Sequence, residues 1–345
     1  MKNLDYITNN FEEIGMFQKI DEQQIKILNK HDTLYSFRKD GFCQRIFSYL
    51  NCLRISKKLN KKTVILWDTS ENSSYQVIHG HQINDHLVYK NLPIRYVNTD
   101  KENIDKYSDN ILGIYGKIYY FEDEKLENVL EELSRLAKSL ELNKPFNEVF
   151  KNVEKHHWGL HVRSGDITAT ESHLTKGMYR WENRYLDGYK KWFPETGYMS
   201  ILESLGEHTK IYIASSSKEF LDTVSSKKKI FTNKNYIFNK KNNPTEKLIL
   251  DIIMLSSCEN IICTQKSAVS ILIILLSDAK IYFPEDYLNI KNVYKELFTI
   301  IHEHQKIFNS PRLLLYKFIR IYLVRIFKSS YLEKVKNLLK KKIDL

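Results

Sequence analysis

Residues 158–171 read WGLHVRSGDITATE, an apolar run that ends in a charged turn. The first part of this segment predicts a buried strand of a parallel sheet over residues 158–163. Such a strand would carry His161 and Arg163 to its carboxyl end, where open α/β sheets bind their ligands. A Ser-Gly-Asp turn follows at once. The segment therefore predicts a ligand site at the carboxyl edge of a parallel sheet.

The turn has the chemistry of a phosphate site. The Arg163 guanidinium can hold a phosphate through two hydrogen bonds, and the small residues Ser164 and Gly165 let backbone amides approach it. Asp166 could orient that arginine or accept a hydrogen bond from a sugar hydroxyl. Glu171 could act as a general base if it faces the ligand. The alternative is an exposed Arg–Asp pair in a surface turn, with Glu171 a solvated loop acid.

Predicted strands and helices alternate on both sides of this motif. Residues 1–30 are expected to form a polar, helix-prone lead-in, and a helix begins at Gly41. Further helices are predicted over 122–142, 218–224, 245–256 and 266–276, and further strands over 63–67, 211–214, 260–264 and 280–283. This alternation indicates parallel sheets joined by right-handed crossovers. We expect two α/β domains that divide near residue 150 and face a cleft.

Length and charge limit the classes of function. The 345 residues suffice for two domains, and the net charge of +11 favours anionic partners such as nucleotide phosphates, nucleic acid or an acidic membrane surface. The four cysteines form no C-x-x-C pair, which argues against a zinc ribbon or thioredoxin chemistry. The first residues lack the apolar segment of a signal peptide, so a cytoplasmic location is expected.

Residues 310–345 differ in kind from the rest of the chain. Ser310 is a suitable N-cap, and Pro311 would occupy the first helical position. The segment then interleaves Leu, Ile, Phe and Tyr with many Lys and Arg and a single Glu. This composition is typical of an amphipathic helix at a membrane interface, which predicts peripheral binding to the inner face of the cytoplasmic membrane. The alternative is a C-terminal helix that packs on the globule with its basic face in water.

The segment HVRSGDITATE resembles the first peptide motif, H-x-R-R-x-D, of the α1,6-fucosyltransferases, which share it with α1,2- and protein O-fucosyltransferases. Residues 41–68, 211–221 and 248–269 are similar to further blocks of that family, in the same order. The resemblance implies an α/β fold of the GT-B type, with two Rossmann-like domains facing a cleft. Its parts would be an acceptor-side domain (1–150), a nucleotide-sugar-binding domain (151–300) and the basic amphipathic tail (301–345).

The resemblance also implies roles for individual residues. Arg163 would bind the β-phosphate of GDP beside Asp166, and Glu171 would deprotonate the acceptor hydroxyl. The donor-binding positions would be Gly41, His161, Arg163, Ser164, Ser215, Ser216, Asp251 and Ser267. The implied reaction is inverting transfer of fucose from GDP-fucose to a bacterial surface glycan, such as lipopolysaccharide or capsule.

The chain departs from the family pattern at several of these positions. Ser164 stands where the family has a second arginine, and Ile167 occupies a position that is basic in the core enzymes. Ser215 and Ser216 replace carboxylates that contact guanosine. Two alternatives therefore stay open: a glycosyltransferase of the same fold with another nucleotide-sugar donor, or a non-catalytic protein that binds anionic ligands.

No metal or other cofactor is expected. The sequence contains no D-x-D motif, so Arg163 and a helix N-terminus near Ser267 would have to neutralise the leaving diphosphate. The pairs at His79/His81 and His302/His304 lack a third ligand at a recognisable spacing. The expected partners are a nucleotide-sugar donor, a glycan or lipid-linked glycan acceptor, and the membrane surface. Nucleic acid is not expected, because the basic residues concentrate in the tail.

Overall fold

The computed structural model describes residues 2–39, 41–70, 87–112, 116–153, 155–162, 195–215, 218–233, 244–264 and 267–284. Its helices are α1 (Leu4–Glu13), α2 (Glu22–Asn29), α3 (Phe42–Lys58), α4 (Leu126–Ser139), α5 (Lys144–Asn152), α6 (Glu195–Ser204), α7 (Lys218–Ser225), α8 (Pro244–Ser256) and α9 (Ala268–Leu276). Its strands are β1 (Phe17–Lys19), β2 (Thr33–Phe37), β3 (Lys62–Asp68), β4 (Ile94–Val97), β5 (Ile111–Leu112), β6 (Ile118–Tyr120), β7 (Trp158–Val162), β8 (Ile211–Ser215), β9 (Ile230–Phe231), β10 (Asn260–Ile262) and β11 (Lys280–Tyr282). These elements confirm a mixed α/β fold.

The N-terminal half contains a four-stranded parallel sheet with the order β4-β3-β2-β5. The predicted strand at 63–67 is confirmed as β3, but its neighbour β2 was not predicted. A separate pair joins β1 to β6 in parallel, with Phe17 opposite Ile118. The polar lead-in predicted for residues 1–30 is therefore wrong in part, since it contains β1. The sequence Phe-Gln-Lys carries no apolar run, so only its distant partner makes it a strand.

The C-terminal half contains a five-stranded sheet with the order β11-β10-β7-β8-β9, again all parallel. The predicted strands at 211–214, 260–264 and 280–283 are confirmed as β8, β10 and β11. The strand β7 lies at the centre, so the order of strands reverses between β7 and β10. Both sheets start from a central strand and grow first to one side and then to the other, as in doubly wound α/β proteins.

Close packing of α8 on the second sheet depends on Gly159 in β7. A Cβ atom at this position would lie 2.8 Å from Leu255 Cδ2 and 2.9 Å from Cys258 Sγ. These distances are too short for a methyl group, so the glycine lets the end of α8 approach the strand. The apolar residues at the end of α8 can therefore pack directly on β7.

Helix α9 packs against both its own sheet and the N-terminal half. Its residues Ile271 and Leu272 belong to the same buried cluster as Phe42 of α3 and Leu130 of α4. The hydroxyl of Ser134 on α4 also donates a hydrogen bond to the Leu275 carbonyl, at 2.7 Å. The two halves therefore share a continuous hydrophobic core. A division of the chain near residue 150 stays a prediction.

A buried ion cluster ties α3 to the turn after β6. Arg54 Nη1 lies 2.7 Å from Glu124 Oε1 and 3.1 Å from Glu132 Oε2. Its Nη2 donates to the Tyr119 carbonyl at 2.5 Å. Burial alone would raise the pKa of Glu124, but hydrogen bonds from Arg54, Lys58 and the Phe121 amide bring it below its ordinary value. The negative charge of Glu124 is therefore part of the native structure.

The amino-terminal segment covers the outer edge of the second sheet. The Asn3 amide donates to the Ile281 carbonyl at 2.6 Å and accepts from the Ile281 N–H at 3.1 Å. The ring of Tyr6 stacks on Phe283, with centroids 5.6 Å apart. Asn3 thus gives the edge strand β11 the two bonds that a further strand would give it.

Across the described ranges, none of the helices combines the length and the apolar character needed to cross a membrane. The predicted basic tail, residues 310–345, lies outside the described residues.

Candidate functional site

The carboxyl edge of the five-stranded sheet, between β7 and β10, is the candidate site. Strand order reverses here, and in parallel α/β sheets the crossover helices then diverge to opposite faces and leave a crevice at this edge. His161 and Val162 end β7, Thr264 follows β10, and Ser267 begins α9. Ser215, at the end of β8, lies opposite Val162. The fold thus brings together three of the predicted donor-binding positions: His161, Ser215 and Ser267.

The motif leaves the sheet at this edge. Val162 is the last residue of β7, and Arg163 is the next residue of the chain. The predicted site residues Arg163, Ser164, Asp166, Glu171 and Ser216 lie outside the described residues. What the structure establishes is the strand from which the motif starts and the side chains around its end.

His161 is turned towards α9. Its ring is buried, and Nδ1 lies 2.7 Å from Ser270 Oγ. The contact locks the imidazole between β7 and the first turn of α9. His161 therefore contributes to the shape of the edge through packing, and its contact with a donor stays a prediction.

Ser267 is the N-cap of α9. Its amide donates to the Thr264 carbonyl at 3.4 Å, and its own carbonyl accepts from the Ile271 amide at 2.9 Å. The amides of the first helical turn point back towards the start of a helix, which gives that end a partial positive charge. The start of α9 therefore presents a favourable potential for an anion to the same edge at which β7 ends.

Two buried hydroxyl groups connect the end of β7 to Thr264, which follows β10. Thr264 Oγ1 donates to the His161 carbonyl at 3.0 Å. The hydroxyl of Tyr198, on α6, lies 2.9 Å from Thr264 Oγ1. Neither residue was predicted from the sequence as part of the site. The available signal was a hydroxyl residue directly after the apolar residues Ile261–Cys263.

Asp251 lies away from the carboxyl edge of the second sheet. Its carboxylate accepts a hydrogen bond from the Tyr212 hydroxyl at 2.7 Å and from Asn233 Nδ2 at 3.1 Å. Burial raises the pKa of this carboxyl to about 7, against the opposing effect of these hydrogen bonds. Tyr212 lies three residues before Ser215, about 10 Å along the strand. The structure therefore gives Asp251 partners inside the domain, and its contact with a nucleotide stays a prediction.

Gly41 belongs to the other sheet. It is the N-cap of α3, and its carbonyl accepts from the amides of Gln44 and Arg45 at 3.0 and 3.2 Å. The guanidinium of Arg45 lies 4.7 Å above the Trp67 ring. Gly41 thus lies at the carboxyl edge of the first sheet. The other predicted site residues that the structure describes belong to the second sheet and its helices.

A polar cluster at the first sheet's carboxyl edge was missed by the sequence analysis. The Asp68 carboxylate, buried at the end of β3, accepts from the Ser70 amide and hydroxyl, each at 3.0 Å. It also accepts from the Thr99 hydroxyl at 3.1 Å. The signal in the sequence was an aspartate directly after the apolar run TVILW. This cluster holds together the ends of β3 and β4.

Within the described ranges there is no group of three His, Cys, Asp or Glu side chains that could hold a metal ion. The two histidine pairs considered above, at His79/His81 and His302/His304, lie outside these ranges.

The sequence matches no protein-family model and no curated protein. Several solved structures are similar to it. Fucosyltransferase NodZ from Bradyrhizobium is 14% identical, with 72% of this chain and 94% of that chain covered and a TM-score of 0.40. NodZ alpha-1,6-fucosyltransferase soaked with GDP-fucose is also 14% identical, with 72% of this chain and 93% of that chain covered and a TM-score of 0.40. POFUT1 in complex with GDP is 9% identical, with coverage of 73% and 97% and a TM-score of 0.41. The likeness to these fucosyltransferases is thus distant, with identities of 9–14% and TM-scores of 0.40–0.41.

Proposed function

We propose that this protein is a glycosyltransferase that uses a nucleotide-sugar donor. The observation that carries this proposal is the position of the motif. Strand β7, which Arg163 follows directly, ends where the strand order reverses, next to the start of α9 at Ser267. Doubly wound sheets bind nucleotides at this place, with phosphates near a helix N-terminus.

The leaving group of such a donor is a nucleoside diphosphate, and its charge has to be neutralised as the glycosidic bond breaks. Arg163 can give two hydrogen bonds to a phosphate, and the first amides of α9 add partial positive charge. The sequence carries no D-x-D motif that would point to a metal-held diphosphate. We therefore assign neutralisation of the leaving group to Arg163 and α9.

The proposed reaction is a single displacement. Glu171 takes the proton from the acceptor hydroxyl, whose oxygen forms a bond to the anomeric carbon. The bond from that carbon to the β-phosphate oxygen breaks at the same time, and the diphosphate leaves with the electron pair. Attack from the face opposite to the leaving group inverts the configuration. Asp166 is assigned to orient Arg163.

GDP-fucose is the proposed donor, because HVRSGD resembles the corresponding motif of fucosyltransferases. Ser164, Ser215 and Ser216 stand where that family has an arginine and carboxylates, which favours another nucleotide sugar as the second candidate. A non-catalytic role in binding anionic ligands is favoured only by the net charge of +11.

The acceptor side is assigned to residues 1–150, and the donor side to residues 151–300. A surface glycan or its lipid-linked precursor is the proposed acceptor. The basic and aromatic composition of residues 310–345 supports peripheral binding to the inner face of the cytoplasmic membrane, where such an acceptor is located.

The first experiment is a thermal-shift titration of the purified protein with GDP, UDP, CMP and their sugars. A ligand at 100 times its Kd stabilises the native state by about 2.7 kcal/mol, which raises the unfolding temperature by several degrees. We expect GDP and GDP-fucose to give this shift, and Arg163→Ala to abolish it. The matched control is Arg95→Ala, at an exposed arginine beside Glu102 in the other sheet, which should keep the shift.

A shift with UDP or CMP alone would keep the nucleotide-sugar proposal and overturn the fucose donor. No shift with any of the nucleotides would overturn the proposed function.

A further inference from the structure

The two sides of β7 are held differently at its carboxyl end. On one side the pairing with β8 continues to the end of the strand, where Val162 lies opposite Ser215. On the other side the pairing with β10 ends at Leu160, opposite Ile262. Beyond that point the His161 carbonyl accepts a hydrogen bond from the Thr264 side chain instead. The end of the strand towards α9 therefore depends on a side chain for its position.

Two hydroxyl groups meet at the His161 carbonyl. Thr264 Oγ1 lies 3.0 Å from this oxygen and the Tyr198 hydroxyl lies 3.4 Å from it, so each of them can donate to it. The two hydroxyls are also 2.9 Å apart, and either of them can be the donor in that contact. Hydrogen bonds linked in this way polarise and strengthen each other.

Thr264 also connects these hydroxyl contacts to the start of α9, because its backbone carbonyl accepts a hydrogen bond from the Ser267 amide at 3.4 Å. One residue thus contacts both the strand that leads to Arg163 and the cap of the helix. These are the two elements to which the proposed function assigns the diphosphate.

Burial decides how Tyr198 and Thr264 can act. Both are 0% exposed, and the Tyr198 ring makes an edge contact with Phe220 at 6.5 Å between centroids. A group without exposed surface has no access to a ligand in the crevice. Any effect of these two hydroxyls on binding must therefore pass through the backbone that they hold.

We propose that Tyr198 and Thr264 are positioning residues for the diphosphate of the donor. They fix the end of β7, the strand that Arg163 directly follows in the sequence, relative to the N-terminus of α9. This inference rests on the proposed function. Its physical basis is that a phosphate gains from the guanidinium and the helix amides together only if their separation matches its size.

The test compares GDP affinity, measured by calorimetry, with the unfolding temperature in four variants. Thr264→Val keeps the shape and removes the hydroxyl, and we expect it to weaken GDP binding roughly 10-fold, as loss of about 1.4 kcal/mol would. Tyr198→Phe should change the affinity in the same direction by a smaller factor. Thr264→Ser keeps the hydroxyl and should bind GDP like the wild type.

The matched control is Ser134→Ala. It removes the same kind of buried bond, from a hydroxyl to a backbone carbonyl, but at Leu275 near the other end of α9. This variant should lower the unfolding temperature and leave GDP affinity unchanged. The comparison separates positioning from general stability.

Unchanged GDP affinity in both Thr264→Val and Tyr198→Phe would overturn the positioning role. An equal loss of affinity in Ser134→Ala would overturn it as well, because binding would then follow general stability. If Thr264→Val does not fold, Tyr198→Phe decides the question by itself. Absence of GDP binding by the wild type is a different result, which counts against the GDP donor and removes the basis of this inference.

Discussion

The Tyr212 hydroxyl donates a hydrogen bond of 2.7 Å to the carboxylate of Asp251, which joins the centre of α8 to β8. Burial raises the pKa of that carboxyl to about 7. An unfolded aspartate titrates near pH 4, so between these values the native state holds a proton that the unfolded state has lost. The contribution of Asp251 to stability is therefore most favourable below about pH 4 and is lost as the pH rises to about 7.

Asp251→Asn removes this titration while leaving an oxygen to accept from Tyr212. The stability of the variant relative to the wild type should rise by roughly 2–4 kcal/mol between pH 4 and pH 7.5. Urea unfolding of both proteins at several pH values measures the difference, and the other carboxyl groups cancel in the comparison. A difference that does not change with pH would contradict the raised pKa.

The ion cluster around Arg54 should contribute strongly to stability. Glu124→Gln leaves the buried guanidinium without its nearest charge and should cost about 2–3 kcal/mol in the free energy of unfolding. Glu122→Gln is the control, because Glu122 is 77% exposed and its bond to Lys19 lies in water. That change should cost less than about 0.5 kcal/mol. Equal losses of stability in the two variants would show that burial of the Arg54–Glu124 pair does not increase its contribution.

The lowered pKa of Glu124 also predicts a direction with pH. Its contribution to stability is present above the ordinary pKa of a glutamate and is lost as the pH falls through the lower, native value. The difference between wild type and Glu124→Gln should therefore shrink in acid. A difference that stays constant below pH 4 would contradict it.

Gly159→Ala should destabilise the C-terminal half. The added methyl would lie 2.8 Å from Leu255 Cδ2 and 2.9 Å from Cys258 Sγ, so α8 would have to move. We expect a loss of about 1–3 kcal/mol in chemical denaturation. At Gly206, in contrast, the nearest atom is Thr209 Oγ1 at 3.6 Å, which leaves room for a methyl. Gly206→Ala should therefore change stability little, and a loss as large as at Gly159 would refute the packing argument.

Glu171→Gln tests the assignment of the general base. A group that only removes a proton in the transition state contributes to the rate and not to donor binding, so we expect a roughly 10²- to 10⁴-fold loss of transfer. GDP affinity should stay as in the wild type. Arg163→Ala should reduce both quantities. Full transfer activity of Glu171→Gln would exclude this carboxylate as the base.

Local pattern predicted much of the second sheet, because each of its longer strands carries an apolar run. The order of the strands was not predictable from such runs. The order of the strands depends on which helix and strand surfaces can pack together, as the close approach of Leu255 to Gly159 illustrates. The short strand β1 could not be found either, since its pairing with β6 is set by residues about 100 positions away.

The candidate site could likewise be predicted from the sequence only in part. The motif after β7 was recognisable from charge and spacing within a few residues. The roles of Thr264 and Tyr198 depend on the register between β7 and β10 and on the packing of α6, which no local pattern specifies. His161 and Asp251 were predicted as binding residues from the family resemblance, and the structure adds the contacts with Ser270 and Tyr212.

The bond from Asn3 to Ile281 joins residues that are 278 positions apart. During synthesis at about 5–20 residues per second, Asn3 therefore waits for many seconds before its partner strand leaves the ribosome. Until then α1 lacks the Phe283 ring on which Tyr6 stacks. The edge of β11, once made, is open to any other strand until Asn3 reaches it. Asn3 thus docks long after its own synthesis, and once in place it occupies the edge of β11 at which another strand could pair.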